Sequence, residues 1–185
     1  MEILFSKKTA SEIAASVLVI PCVPDETHPA LSQVQEKTGV DIMALATEEK
    51  FSGKSGQVFV LRGLKGLGGH RVLLVGLGKV DDRDVEGVRG AGTIAIRRAR
   101  EMHATTVALA TPTNSDAMQF IEGAILGTYS FDRYISKKEG DFAGFESITI
   151  VGAAKDLEAQ FIEARVLAES TNFARDLVNE IPNIL

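Results

Sequence analysis

Ser16-Val17-Leu18-Val19-Ile20-Pro21-Cys22 is the stretch on which the fold turns. Val17 to Ile20 form an unbroken apolar run rather than an alternating one. A strand with one wet face alternates, whereas a strand buried on both faces does not. The run therefore predicts a central strand covered by helices on both sides, ended by Pro21 and Pro24. Arg71 to Val75 has the same character. Glu2–Ser6, Gln57–Arg62, Thr106–Ala110 and Ser147–Val151 read as further strands.

Working outward, helical signals fill the intervals. Pro29 suits the first turn of a helix stopped by Gly39, and Val40–Glu49 reads as a second, with Ile42, Met43, Leu45 and Ala46 inward. Asp81, Asp82 and Asp84 are placed to open a third, where carboxylates favour the positive end of the helix dipole. Val85, Val88, Gly92, Ala95, Ala99 and Met102 keep its period. Asn114–Asp116 offers caps for a fourth. The fifth runs from Lys155 to about Ile181. Gly63–Gly69 between two strands reads as a hairpin connection. The expectation is a three-layer α/β domain: a mostly parallel, mixed sheet of about six strands between helices.

The fourth helix carries an anomaly. Ala117, Phe120, Ile121, Ala124 and Thr128 mark its buried face, and Gly123 and Gly127 stack one turn apart. Each glycine costs on the order of 1 kcal/mol relative to alanine in a helix interior. Two of them predict that another backbone approaches closely there. Past this helix, Asp132, Arg133 and Tyr134 read as ordering its exit by packing and ion pairing. Ser136–Gly144 reads as a surface loop. In the fifth helix, Val166, Phe173 and Leu177 form one apolar line, and Leu167, Ala174, Val178 and Ile181 the next. That face is broader than a small domain needs, and predicts a connector that packs against something downstream.

The chain's 185 residues, 45% hydrophobic and 24% charged, suit one soluble domain with a sizeable core. No run approaches the roughly 18 apolar residues of a membrane span. Met1-Glu2-Ile3-Leu4-Phe5 lacks the basic region and long apolar run of a secretory signal. Cys22 is the sole cysteine, which excludes an internal disulfide. These features point to the cytoplasm. A net charge of −5 disfavours a general nucleic-acid binder.

Chemical motifs are sparse. Gly53-Lys54-Ser55 lacks the preceding glycine of a phosphate loop, since Glu48 stands there, and reads as a polar turn. Gly76-Leu77-Gly78-Lys79 ends a buried strand, where backbone N–H groups can hold a phosphate. Asp81 replaces the third glycine of the dinucleotide fingerprint, and the turn reads as structural. His28, His70 and His103 have no i,i+4 partner of the kind that builds a zinc site. Cys22 has no basic neighbour to activate it. Arg89, Arg97 and Arg100 share one helix face beside Arg98. That face reads as solvated or in contact with a subunit, with phosphate binding as the alternative.

Three stretches carry a family resemblance. Glu122–Tyr134, Ala174-Arg175-Asp176-Leu177-Val178-Asn179-Glu180-Ile181-Pro182-Asn183 and His70-Arg71-Val72-Leu73-Leu74-Val75-Gly76-Leu77-Gly78-Lys79 resemble, in order, segments of the leucyl (cytosol) aminopeptidases. These are hexameric two-metal enzymes, and the resemblance is to their N-terminal domain. Ile181 stands where that family usually has a further proline. The resemblance implies a macro-domain-like N-terminal domain over 1–152, then over 153–185 a connector helix and the start of an absent catalytic domain. It implies a parent enzyme that releases N-terminal residues, leucine among them, using two zinc, manganese or magnesium ions. The family's glycine-rich lysine motif and its Asn-Thr-Asp-Ala-Glu-Gly-Arg motif do not occur here. No catalytic, cofactor-binding or metal-binding residue is therefore expected in this chain, which is expected to be inactive alone. Its implied role is to support the hexamer and shape access to the catalytic core, with its own catalytic domain as partner and peptides as that domain's substrates. An ADP-ribose or nucleotide module and a DNA-contacting accessory domain are the alternatives. The end at Leu185 reads as that of an excised domain.

Overall fold

Val17–Cys22 (β2) is buried at every residue, as its apolar run requires. The computed structural model describes residues 1–67, 71–112, 116–136, 140–152 and 156–181. Around β2 stand Glu2–Ser6 (β1), Val58–Leu61 (β3), Arg71–Gly76 (β4), Thr106–Ala110 (β5) and Ser147–Val151 (β6). They form one six-stranded sheet in the order β1-β6-β5-β2-β4-β3. All pairs are parallel except β3 with β4, the hairpin that makes the sheet mixed.

Pleating sends alternate residues to two separate cores. Val17, Val19, Leu73, Val75, Val107, Leu109, Ile148 and Ile150 face Val85–Glu101 (α3), Ala117–Gly127 (α4) and Leu157–Asn179 (α5). Leu18, Ile20, Val72, Leu74, Ala108 and Ala110 face Pro29–Thr38 (α1) and Ile42–Glu48 (α2). This is the expected three-layer arrangement.

The glycine anomaly resolves at the α3–α4 crossing. A Cβ placed on Gly123 would overlap the Arg89 carbonyl, and one on Gly92 would overlap the Phe120 carbonyl. A Cβ on Gly127 would stand 3.1 Å from the Thr93 Cα. The two backbones touch, and Thr93 Oγ1 donates across the gap to the Gly123 carbonyl at 2.9 Å.

Some local expectations need correction. Pro21 does not end β2; the strand runs through it to Cys22. Pairing with β5 stops at Val19 while pairing with β4 continues to Cys22. Pro21 is thus paired on one side only, where a missing N–H is tolerated as on a sheet edge. Asp81 and Asp82 lie in a separate 3-10 turn, Val80–Asp82, and do not open α3. Asp84 alone caps it, accepting from the Gly87 N–H at 2.7 Å. Val85 and Leu45 are exposed rather than inward. Thr128 is the half-buried C-cap of α4, just beyond its buried face. Asn114, the hairpin glycines Gly68 and Gly69, and the start of the fifth helix at Lys155 lie outside the described residues. Asp116 is the N-cap residue of α4, without a side-chain capping bond.

Candidate functional site

The glycine turn after β4 has spent its donors. Gly76 N–H donates to the Gln57 carbonyl at 2.8 Å, Leu77 N–H to the Cys22 carbonyl at 2.8 Å, and Gly78 N–H to the Gly53 carbonyl at 2.9 Å. The turn packs onto Gly53-Lys54-Ser55, so tightly that a Cβ on Gly76 would overlap the Lys54 carbonyl. The two phosphate-like motifs are therefore halves of one structural junction. Those three backbone N–H groups face carbonyls instead of an anion.

The arginine face is similarly committed. Arg89 pairs with Glu86 and with Glu122 at 3.1 Å, and Arg98 pairs with Glu101 at 2.6 Å. Arg100 donates to the Thr128 carbonyl at 2.5 Å and lies over the Phe145 ring, 5.9 Å from its centroid. Of the four arginines, Arg97 is the one with no such partner among the described residues.

His28 is structural. Its Nδ1 accepts from the Ala30 N–H at 3.1 Å, capping α1, and its Nε2 lies 2.8 Å from the Thr111 carbonyl. That pattern requires the neutral Nε2–H tautomer. Burial pushes its pKa below the ordinary 6.5, against the raising effect of the Thr111 bond. Cys22 is buried and its thiol is pushed up to about 12 by burial, so it is inert at neutral pH. His103 is exposed and edge-on to Phe142. His70 lies outside the described residues. Among the described residues no group of three or more His, Cys, Asp or Glu side chains could hold a metal ion. No helix among them is long and apolar enough to cross a membrane.

The most exposed apolar surface lies on α5. Leu157, Phe161, Ala164 and Ala168 are buried against the sheet, at the spacing of one helical face. Phe161 stacks on Phe5 at 5.8 Å. Beyond Ala168 the character inverts: Phe173 is 64% and Val178 84% exposed, and Leu177 and Ile181 are also exposed. Val166 and Leu167 are exposed too. Exposed apolar side chains recurring at helical spacing are the material from which contact surfaces are built.

The exit from α4 holds this bare half in place. Arg133 pairs with Glu180, and the Tyr134 hydroxyl donates to the other carboxylate oxygen. The Tyr134 bond holds the Glu180 carboxyl below its usual range, and Glu180 in turn pushes the phenol up. Asn179 Nδ2 donates to the Tyr129 hydroxyl at 3.1 Å, and the Arg175 guanidinium lies over the Tyr129 ring. The ordering role read for Arg133 and Tyr134 is thus carried out on α5. Glu180 as the partner of Arg133 and Tyr134, and Asn179 and Arg175 as partners of Tyr129, were not legible, because each lies 46 or more residues further along the chain than the residue it meets.

Residues 19–138 match the family model for the N-terminal domain of the cytosol aminopeptidase family. The chain belongs to that family. It is 31% identical to a probable cytosol aminopeptidase of Geobacter sp. (strain M21), over the whole of this chain and 39% of the relative. It is 38% identical to one of Methylobacterium radiotolerans, over 80% of this chain and 31% of the relative. Among solved structures, a mutant of tomato leucine aminopeptidase aligns over the whole chain with a TM-score of 0.76 at 25% identity, covering 39% of that chain. The bottromycin maturation enzyme BotP shares the fold, with a TM-score of 0.67 over 91% of this chain and 33% of its own. The chain spans about two-fifths of the length of its cytosol aminopeptidase relatives. It corresponds to their N-terminal domain, and neither the nucleotide-module nor the DNA-accessory reading finds support in these matches.

Proposed function

We propose that this chain is the non-catalytic N-terminal domain of a metal-dependent aminopeptidase that releases N-terminal amino acids, leucine among them, from peptides. The observation that carries this reading is the family match combined with coverage: the whole chain aligns to well under half of each relative. In this reading residues 1–152 are the macro-like domain, and residues from 153 lead into the catalytic domain. The bare half of α5 is the surface that the catalytic domain covers. The two divalent ions, whether zinc, manganese or magnesium, belong to that second domain. The described residues offer them no ligand set, and no step of the hydrolysis runs through this domain. Its work is to support a cytoplasmic hexamer and to shape the approach of peptides.

The test is hydrolysis of a leucine chromogenic amide, with and without manganese or zinc. The 185-residue chain is expected to show no turnover, and a chain extended by a relative's remaining length is expected to show metal-dependent turnover. Metal-dependent turnover by the 185 residues themselves would overturn the reading.

A further inference from the structure

Four parallel strands end at one opening. Lys7 and Lys8 follow β1, His28 precedes α1 after β2, Thr111 and Pro112 follow β5, and Gly152 follows β6. Together they border a crevice of about 250 Å³. β2 and β5 are neighbours, yet β2 leads to α1 on one face of the sheet and β5 leads to α4 on the other. Such a divergence at the carboxyl ends of strands is where open α/β sheets leave room for a ligand.

The lining has a definite chemistry. Ala10, Pro29, Ala30, Ala110, Val151 and Leu157 make its walls apolar. Thr111 is only 7% exposed; its carbonyl is taken by His28, while no described residue bonds its hydroxyl. Oγ1 keeps some contact with solvent, so the hydroxyl is open to an occupant of the crevice that Thr111 lines. Among the described lining residues the charged ones are Lys7 and Lys8, with no carboxylate. Lys7 pairs with Glu158 at 3.0 Å; Lys8 makes no ion pair among the described residues, though its charge acts on Glu12 outside the crevice lining. The first N–H groups of α1 are not available to an anion. Ala30 N–H goes to His28 Nδ1, and Leu31 and Ser32 N–H go to the His28 carbonyl.

We propose that this crevice binds a small monocarboxylate with an aliphatic body. The apolar walls take the body, Thr111 Oγ1 donates to the carboxylate, and Lys8 supplies the charge. The volume lies just below the ~300–1,000 Å³ of drug-sized sites, which suits a short-chain acid and excludes a dinucleotide. This site is independent of the aminopeptidase reading, because it needs only the 185 residues in hand.

The test is titration of the isotopically labelled chain with 4-methylpentanoate, followed by amide shifts, with 4-methylpentanamide as the uncharged control. Saturable shifts at Ala30, Thr111 and Gly152 are expected, with the amide binding at least tenfold more weakly. Lys8→Gln should bring the acid down to the level of the amide. Thr111→Val conserves shape, so its spectrum away from the crevice reports that the fold is kept, and it should weaken the acid further. No saturable shift at these positions, or equal binding of acid and amide, would overturn the proposal.

Discussion

At Gly123 one methyl group separates a packed crossing from a clash. Gly123→Ala gains helix propensity but drives a Cβ into the Arg89 carbonyl. Overpacking of this kind costs about 1–3 kcal/mol, so a net loss of stability is expected. Gly90→Ala, in the adjacent helix with nothing within 4 Å of its Cβ, should instead stabilise by about 0.5–1 kcal/mol. Urea melts of the pair separate close packing from simple propensity. His28 provides a second test at this scale. Its folded pKa lies below 6.5, so between those two values the unfolded chain binds more protons. The stability linked to neutral His28 is therefore complete above about pH 6.5 and is lost as pH falls through the folded pKa. The urea midpoint should drop between about pH 7.5 and pH 5, and His28→Asn, which keeps a capping side chain, should flatten that part of the profile. The close glycine crossing was legible in the sequence, because two glycines in an apolar helix are hard to explain otherwise. The role of His28 was not, because Thr111 is 83 residues away.

Helix α5 shows what an element owes to its neighbours. Its first half is held by burial of Leu157, Phe161, Ala164 and Ala168. Its second half is held through polar contacts to the α4 exit at Glu180, Asn179 and Arg175. Arg133, Asn179 and Arg175 are exposed in these contacts, although the Glu180 side chain is largely covered; contacts with an exposed partner are individually weak, so the second half should open locally while the first stays closed. Hydrogen exchange should show faster amides over 172–179 than over 161–168, and Glu180→Gln should widen the difference without moving the urea midpoint. Equal protection along the helix would mean that the bare half is anchored by something other than this clamp. The two apolar lines of this helix were plain in the sequence. Which turns of them the domain would cover was not, since periodicity marks a face but carries no information about where the neighbouring sheet ends.

For the whole molecule, charge and topology decide what the surface can do. The net charge is −5, and three of the four α3 arginines are engaged by carboxylates, a carbonyl or a ring. A duplex DNA titration at about 0.15 M salt should therefore give no saturable binding; binding that weakens steeply with salt would contradict this. Local sequence determined the strands, the helices, the mixed sheet and the glycine crossing, because buried strands, caps and close-packed helices each impose composition over a few residues. The order of the strands, the union of Gly53-Lys54-Ser55 with the Gly76 turn, the clamp on Glu180 and the crevice around Thr111 were decided only by the tertiary structure. Each joins residues far apart along the chain, and no local pattern encodes which distant carbonyl, carboxylate or strand end will come to meet them.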